Sequence, residues 1–460
     1  MRPPRWAVAL AVSAAMTVLT ALVIAPNGQA DVLTGASALA PCTGPAWAEG
    51  VPYAVGAKVT YLGRSYEARV AHTPPPGAGW NPVAAASLWK DLGACDGGTP
   101  TPSPSTSPST SPKPSPSASP TKSPSPSPTA SPSPTPTTSP GTDTCPVKSR
   151  PAGKVLQGYW ENWDGASNGV HPPFGWTPIT NPVIRQHGYN VINAAFPVIL
   201  SDGTVLWEDG MDAGVKVATP AEMCTAKAAG LTILMSIGGA TAGIDLSSST
   251  VADRFVATVV PILKRYNFDG IDIDIETGLA GSGSITSLSP SQANLIRIID
   301  GVLAAMPSNF GLTMAPETAY VTGGSVTYGS IWGAYLPIVK KYADNGRLWW
   351  LNMQYYNGSM YGCAGDSYSA GTVQGFTKQT DCLNQGLVIQ GTTIKVPYDK
   401  QVPGLPAQPG AGGGYMSTGL VSQSWNTYGG QLKGLMTWSL NWDGSKGWTF
   451  GDNVRGLQGR

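Results

Sequence analysis

The run Phe268-Asp269-Gly270-Ile271-Asp272-Ile273-Asp274-Ile275-Glu276 restricts this chain more than any other stretch. Isoleucines at 271, 273 and 275 alternate with carboxylates at 272, 274 and 276, the two-residue period of a β-strand with one apolar and one acidic face. Aspartate is a poor strand former, and a buried row of three carboxylates costs several kcal/mol unless they share protons or bind something. Such a strand must border a space that is both enclosed and used.

Other apolar, β-branched or aromatic segments end in polar or small residues: 154–162, 189–196, 231–239, 311–317, 348–357, 400–406 and 434–442. With 268–276 they make eight. Helix-like stretches fall between several of them, at 220–229, 249–266, 289–305 and 331–342. Eight strands alternating with helices in about three hundred residues predict an α/β fold, a (β/α)8 TIM barrel over 145–460. Catalytic groups in that fold sit at the carboxyl ends of strands, where Glu276, Glu317, Tyr356 and Trp438 fall. A doubly wound open sheet is the alternative.

From Thr99 to about Thr142 the sequence is nearly all Pro, Ser and Thr, which cannot bury a core and favours extended polyproline II. A disordered linker is expected over 99–142, long enough to hold its flanks on the order of 100 Å apart. It separates the barrel from a small all-β module at 41–97. Residues 1–30 read as a signal peptide: Arg2 and Arg5, an apolar stretch from Trp6 to Ile24, then small residues Gly28 and Ala30. No later segment is apolar enough to span a bilayer. A secreted, extracellular protein with no membrane association after cleavage is expected.

Six cysteines in a secreted chain point to disulfides. Their positions suggest Cys42 with Cys95, Cys145 with Cys224, and Cys363 with Cys382. With only three His and no CxxC, no metal site is expected, and no cofactor. A net charge of +1 argues against a nucleic-acid partner, and 12% charged residues lean towards an uncharged polymer or small polar ligand.

Asp272, Asp274 and Glu276 project to one side at about 6.6 Å per two residues, with Glu276 nearest the barrel mouth. A carboxyl among carboxylates holds its proton more tightly, so one of them can serve as an acid near neutrality, as acetal cleavage requires. Two-carboxylate glycosidases flank the anomeric carbon, which neighbours on one strand face cannot do. The nucleophile must come from another strand, from water or from the substrate; Glu317 is the protein candidate and a 2-acetamido group the substrate candidate.

The segment Asp269 to Glu276 resembles the DxxDxDxE signature of glycoside hydrolase family 18 chitinases, and secreted bacterial members in particular. Ser236-Ile-Gly-Gly239, Met314-Ala-Pro-Glu317, Met353-Gln-Tyr-Tyr-Asn357 and Trp438 match further motifs in the family's order. The resemblance implies Glu276 as general acid and then base, Asp274 as the group that orients the acetamido and stabilises its charge, Asp272 as its electrostatic partner, and Tyr356 as donor to the acetamido oxygen. Substrate assistance is known in this family. Trp438 is the implied floor under the reacting sugar, with Gln354, Met314, Gly239, Tyr159 and Phe196 lining the pocket. Asp269, before Gly270 at the start of the strand, is expected to be structural. The short, Gly-rich stretch 404–434 leaves no room for the extra domain some members insert, so an open groove and endo action are expected.

The module's aromatics resemble those of carbohydrate-binding families 5 and 12. Aromatic rings stack on the apolar faces of sugars, so an exposed Trp is a rigid anchor on a flat crystal. Trp80 is the implied anchor, with His72, Thr73 and Pro82 beside it. Trp47, Tyr61, Tyr66 and Trp89 are expected to fill the core. Some modules of this type carry adjacent aromatics where Val70-Ala71 stand here.

The reading is a monomeric, secreted chitinase acting on chitin and chitooligosaccharides. An endo-β-N-acetylglucosaminidase on glycoproteins and a non-catalytic chitin-binding lectin are the alternatives.

Overall fold

A computed structural model describes residues 42, 44–48, 50–69, 82, 89–95, 143–163, 176–212, 214–240 and 243–460. The expected leader, the linker, and Trp80, His72 and Thr73 lie outside these residues.

Eight parallel strands form the barrel: β1 Val155–Glu161, β2 Val191–Ala195, β3 Thr232–Gly239, β4 Gly270–Ile275, β5 Gly311–Met314, β6 Trp350–Leu351, β7 Gly404–Pro406 and β8 Gly434–Trp438. Their order is β6-β5-β4-β3-β2-β1-β8-β7. Parallel bridges Leu351↔Gln401 and Gln354↔Gly404 close the ring between β6 and β7. The helices that alternate with them are α1 Val183–Gln186, α2 Pro220–Ala228, α3 Ser249–Arg265, α4 Pro290–Ala305, α5 Leu336–Asp344, α6 Val373–Gln385 and α7 Thr418–Asn426, followed after β8 by α8 Leu440–Ser445 and α9 Thr449–Leu457. The (β/α)8 barrel expected from the sequence is the fold.

Local chemistry fixes the helix starts. Thr219 and Ser289 each cap their helix reciprocally with Glu222 and Gln292, and Pro220 and Pro290 supply the preset first turn. The fifth helix begins at Leu336, not Ile331, because Gly333 takes a left-handed φ of 73° and the chain turns there before winding up. The sixth strand is shorter than its apolar run: the ladder covers Trp350–Leu351 and resumes at Gln354, which bridges Glu317 on one side and Gly404 on the other. Between β7 and β8 the one helix is α7, and no domain is inserted there.

Alternation divides the barrel into two cores. Ile271, Ile273 and Ile275 face outward and pack with Leu312, Met314 and the helices, among them Phe255, Leu295 and Val339. Val155, Tyr159, Leu234, Trp350, Val402 and Met436 fill the interior. Far from the mouth, Asp269 is fully buried in an ion pair with Lys227, at 2.7 Å, and accepts the backbone N–H groups of Lys148 and Ile233 at 2.7 and 2.9 Å. Its role is structural, as expected.

All three expected disulfides are present: Cys42–Cys95, Cys145–Cys224 and Cys363–Cys382. The small module contains an antiparallel sheet of Lys58–Tyr61, Arg64–Ala68 and Trp89–Ala94. Tyr53, Val59, Tyr66 and Trp89 are its core. Trp47 and Tyr61 are only partly buried against it, edge to face at 5.5 Å. Pro82 is buried.

Candidate active site

Register places the site. Ser236 of β3 and Thr313 of β5 pair with Asp272 of β4, so all three side chains enter the barrel at one level. Asp272 Oδ2 accepts the hydroxyls of Tyr159 at 2.7 Å and Ser236 at 2.8 Å; Oδ1 accepts Thr313 Oγ1 at 2.5 Å and Asn352 Nδ2 at 3.0 Å. Burial raises its proton affinity while these donors work against the rise. Four converging donors fix the carboxyl's orientation and steady its neighbour above.

Asp274, one level up, is held well above the usual carboxylate range by burial, then by Glu276 and Asp272. Glu276 lies just beyond the end of β4, half-buried at the mouth, and burial plus the charge of Glu317 push it up to about 7. It is therefore substantially protonated near neutrality, which a general acid requires. Tyr335 fixes this strand end by donating to Ile275 O and accepting from Ile275 N, both at 2.9 Å, and Tyr320 donates to Glu276 O at 2.7 Å.

Gln354 links the acids. Its Nε2 donates to Asp274 Oδ1 at 3.0 Å, to Glu276 Oε1 at 2.9 Å and to Ala315 O at 3.1 Å. The sequence placed it as a lining residue; here its amide sets the spacing of the two carboxyls. Glu317 forms a bridge with Gln354 in the next strand and is half-buried. Tyr356 is buried, its phenol pushed well above its ordinary range by burial and by Asp274, Glu276 and Glu317.

One wall of the mouth is aromatic. Phe196 and Trp438 stack at 6.0 Å and 16°, Tyr159 meets Trp438 at 5.4 Å, and Trp163 lies 6.4 Å from Phe196. Phe196 and Trp438 are half-buried and available at the opening. The Ala195–Phe196 and Trp438–Ser439 peptide bonds are cis. Gly239 lies under Phe196, where an added Cβ would approach the ring to 2.8 Å.

Two expected lining residues are elsewhere. Met314 pairs with Ile273, so alternation turns it out of the barrel into the helix-facing core, fully buried. Tyr159 is also buried and serves beneath the pocket as a donor to Asp272. The residues the sequence reading missed are Ser236 as a hydrogen-bond partner, Thr313, Asn352 and Tyr320. The first three are polar interruptions of apolar strands, a signal that strand alignment turns into one layer.

A closed (β/α)8 barrel with a protonatable carboxyl at the mouth of its fourth strand, a second acid beneath it and an aromatic wall is the equipment of a glycoside-cleaving enzyme. The sequence profile of glycosyl hydrolases family 18 matches residues 155–320, and that of carbohydrate-binding module family 5/12 matches residues 46–90. Endochitinase 4 of Metarhizium robertsii is 83% identical over 314 residues, 68% of this chain and 91% of that protein. Endochitinase 37 of Trichoderma harzianum is 84% identical over 310 residues, 67% of this chain and 92% of that one. The crystal structure of a family GH18 chitinase from Chromobacterium violaceum superimposes with a TM-score of 0.56 at 27% identity, covering 91% of this chain and all of that one. The chain belongs to glycosyl hydrolases family 18. The expected affinity to bacterial members in particular gives way, because the relatives above 80% identity are fungal.

Proposed function

We propose that this chain is an endo-acting chitinase that cleaves β-1,4 links between N-acetylglucosamine residues with retention. The observation that carries the mechanism is the one-sided stack of Asp272, Asp274 and Glu276, the lowest held by Asn352 and the upper two joined by Gln354. In this reading Glu276 gives its proton to the bridging oxygen as the substrate's acetamido oxygen attacks the anomeric carbon. Asp274 orients that group and offsets its growing positive charge, Asp272 supports Asp274, and Tyr356 donates to the acetamido oxygen. Glu276 then takes a proton from the water that opens the cyclic intermediate. Trp438 and Phe196 support the apolar faces of the sugars.

The further parts of the reading are a leader at 1–30, a chitin-binding module at 41–97 that uses Trp80, His72, Thr73 and Pro82, a linker at 99–142 and a catalytic barrel at 145–460. The product is a secreted monomer without membrane association. Chitohexaose hydrolysis by wild type and by Glu276→Gln tests the assignment: wild type should turn over and the variant should not. Equal turnover, or release of N-glycans in preference to chitohexaose cleavage, refutes it. An acetamido-thiazoline analogue should inhibit competitively; failure to do so would transfer the nucleophile's role to Glu317.

A further inference from the structure

We propose that the closed end of the barrel, opposite the active site, binds a small tetrahedral oxoanion such as sulfate or phosphate. A cavity of about 410 Å³ there is lined by Arg150, Lys154, Asp399 and Lys433. It lies where the segment leading into β1 meets the segments leading into β7 and β8. Three cations thus share one carboxylate.

These cations are held by main-chain oxygens. Lys433, only 6% exposed, donates to Pro151 O at 2.6 Å, Gly153 O at 2.7 Å and Ala152 O at 3.2 Å. Lys154 donates to Leu432 O at 2.5 Å and to Gly430 O. Arg150 donates through Nη2 to Asp399 O at 2.6 Å, which leaves its other Nη protons unengaged among the described residues. A fork of guanidinium donors fits an oxoanion in two-point contact. Burial first, then the charges of Arg150 and Lys154, bring Lys433 down to about 8, against the pull of Asp399. An anion received by the Nη protons of Arg150 that Asp399 O leaves free, and by the remaining Lys154 proton, would supply the missing negative charge. It would pin together the segments that begin the barrel's first and last strands.

The test is thermal unfolding of the full chain in sodium phosphate or sulfate against sodium chloride at matched ionic strength, with phosphate binding followed by calorimetry and ³¹P line width. Wild type should show a saturable rise of a few degrees, half complete at millimolar phosphate, with sulfate competing. Arg150→Gln should lose the saturable part while chitohexaose kcat/KM stays within twofold of wild type. A linear rise with salt, alike in both proteins, is general exclusion from the surface and overturns the proposal. If Arg150→Gln does not fold, absence of saturable phosphate binding to wild type overturns it equally.

Discussion

Replacing Glu276 by Gln should destroy activity and stabilise the protein, and the second effect should depend on pH in one direction. The carboxyl is pushed from 4.5 to about 7 in the folded chain, by burial first and by Glu317 second. In the unfolded chain it titrates near 4.5. Between these values the folded state binds more protons than the unfolded state, so stability falls as pH rises through the window. A rise of ~2.5 pH units corresponds to roughly 3 kcal/mol of folding free energy lost once the group is ionised in both states. Gln keeps the shape and can accept from Gln354 Nε2, now 2.9 Å from the carboxyl, but it cannot ionise. Calorimetric or urea unfolding should therefore find the variant more stable by roughly 2–3 kcal/mol, a few degrees in Tm, at about pH 8.5. Near pH 4.5 the two should coincide. Chitohexaose turnover should fall by a factor on the order of 10³ in the same preparations. A stability difference that stays constant with pH, or grows towards acid, would refute the assignment of a raised carboxyl at the mouth.

Glu317→Gln removes the second cause of that rise, so the basic limb of kcat/KM should move down by on the order of one pH unit with little change on the acid plateau; an unmoved limb would show that the charge is not felt. Gln354→Leu should lower kcat by a factor of ~10² with a smaller change in KM, since the two carboxyls lose the amide that spaces them. It should also move the basic limb upward, because that donor favours ionised Glu276; unchanged kcat would count against a positioning role. Lys227→Met leaves Asp269 buried without its cation and should cost ~3–5 kcal/mol in urea unfolding, with kcat/KM of the folded fraction preserved. Loss of kcat without loss of stability would contradict this.

The acidic strand was legible because its period of two is strict and opposite chemistries alternate along it. The placing of six cysteines around separate modules gave the disulfides, and helix-like stretches at 220–229 and 289–305 gave α2 and α4. Motif membership, however, does not say which way a side chain points. Met314 stands one residue beyond Thr313, and that single step moves it from the interior to the helix layer. Gln354 could be named from its motif, but its joint hold on Asp274 and Glu276 depends on the bridge that aligns β6 with β5. Thr313 and Asn352 are unremarked in sequence because their meaning lies in being level with Asp272 on other strands. Aromatic content gave the mouth's material, though not that Tyr159 lies beneath it.

The Cys145–Cys224 bond ties the first residues of the barrel region to α2, and close by, Lys148 binds Asp269 through its backbone N–H and Lys227 O and Leu231 O through its ammonium, at 2.6 and 2.7 Å. Tension arriving along the chain from the amino-terminal side would meet a covalent clamp before it reached Val155. The clamp works as strain relief on a cable: a tug would load a helix on the outer wall, and Tyr159, which holds Asp272 from within β1, would keep its aim.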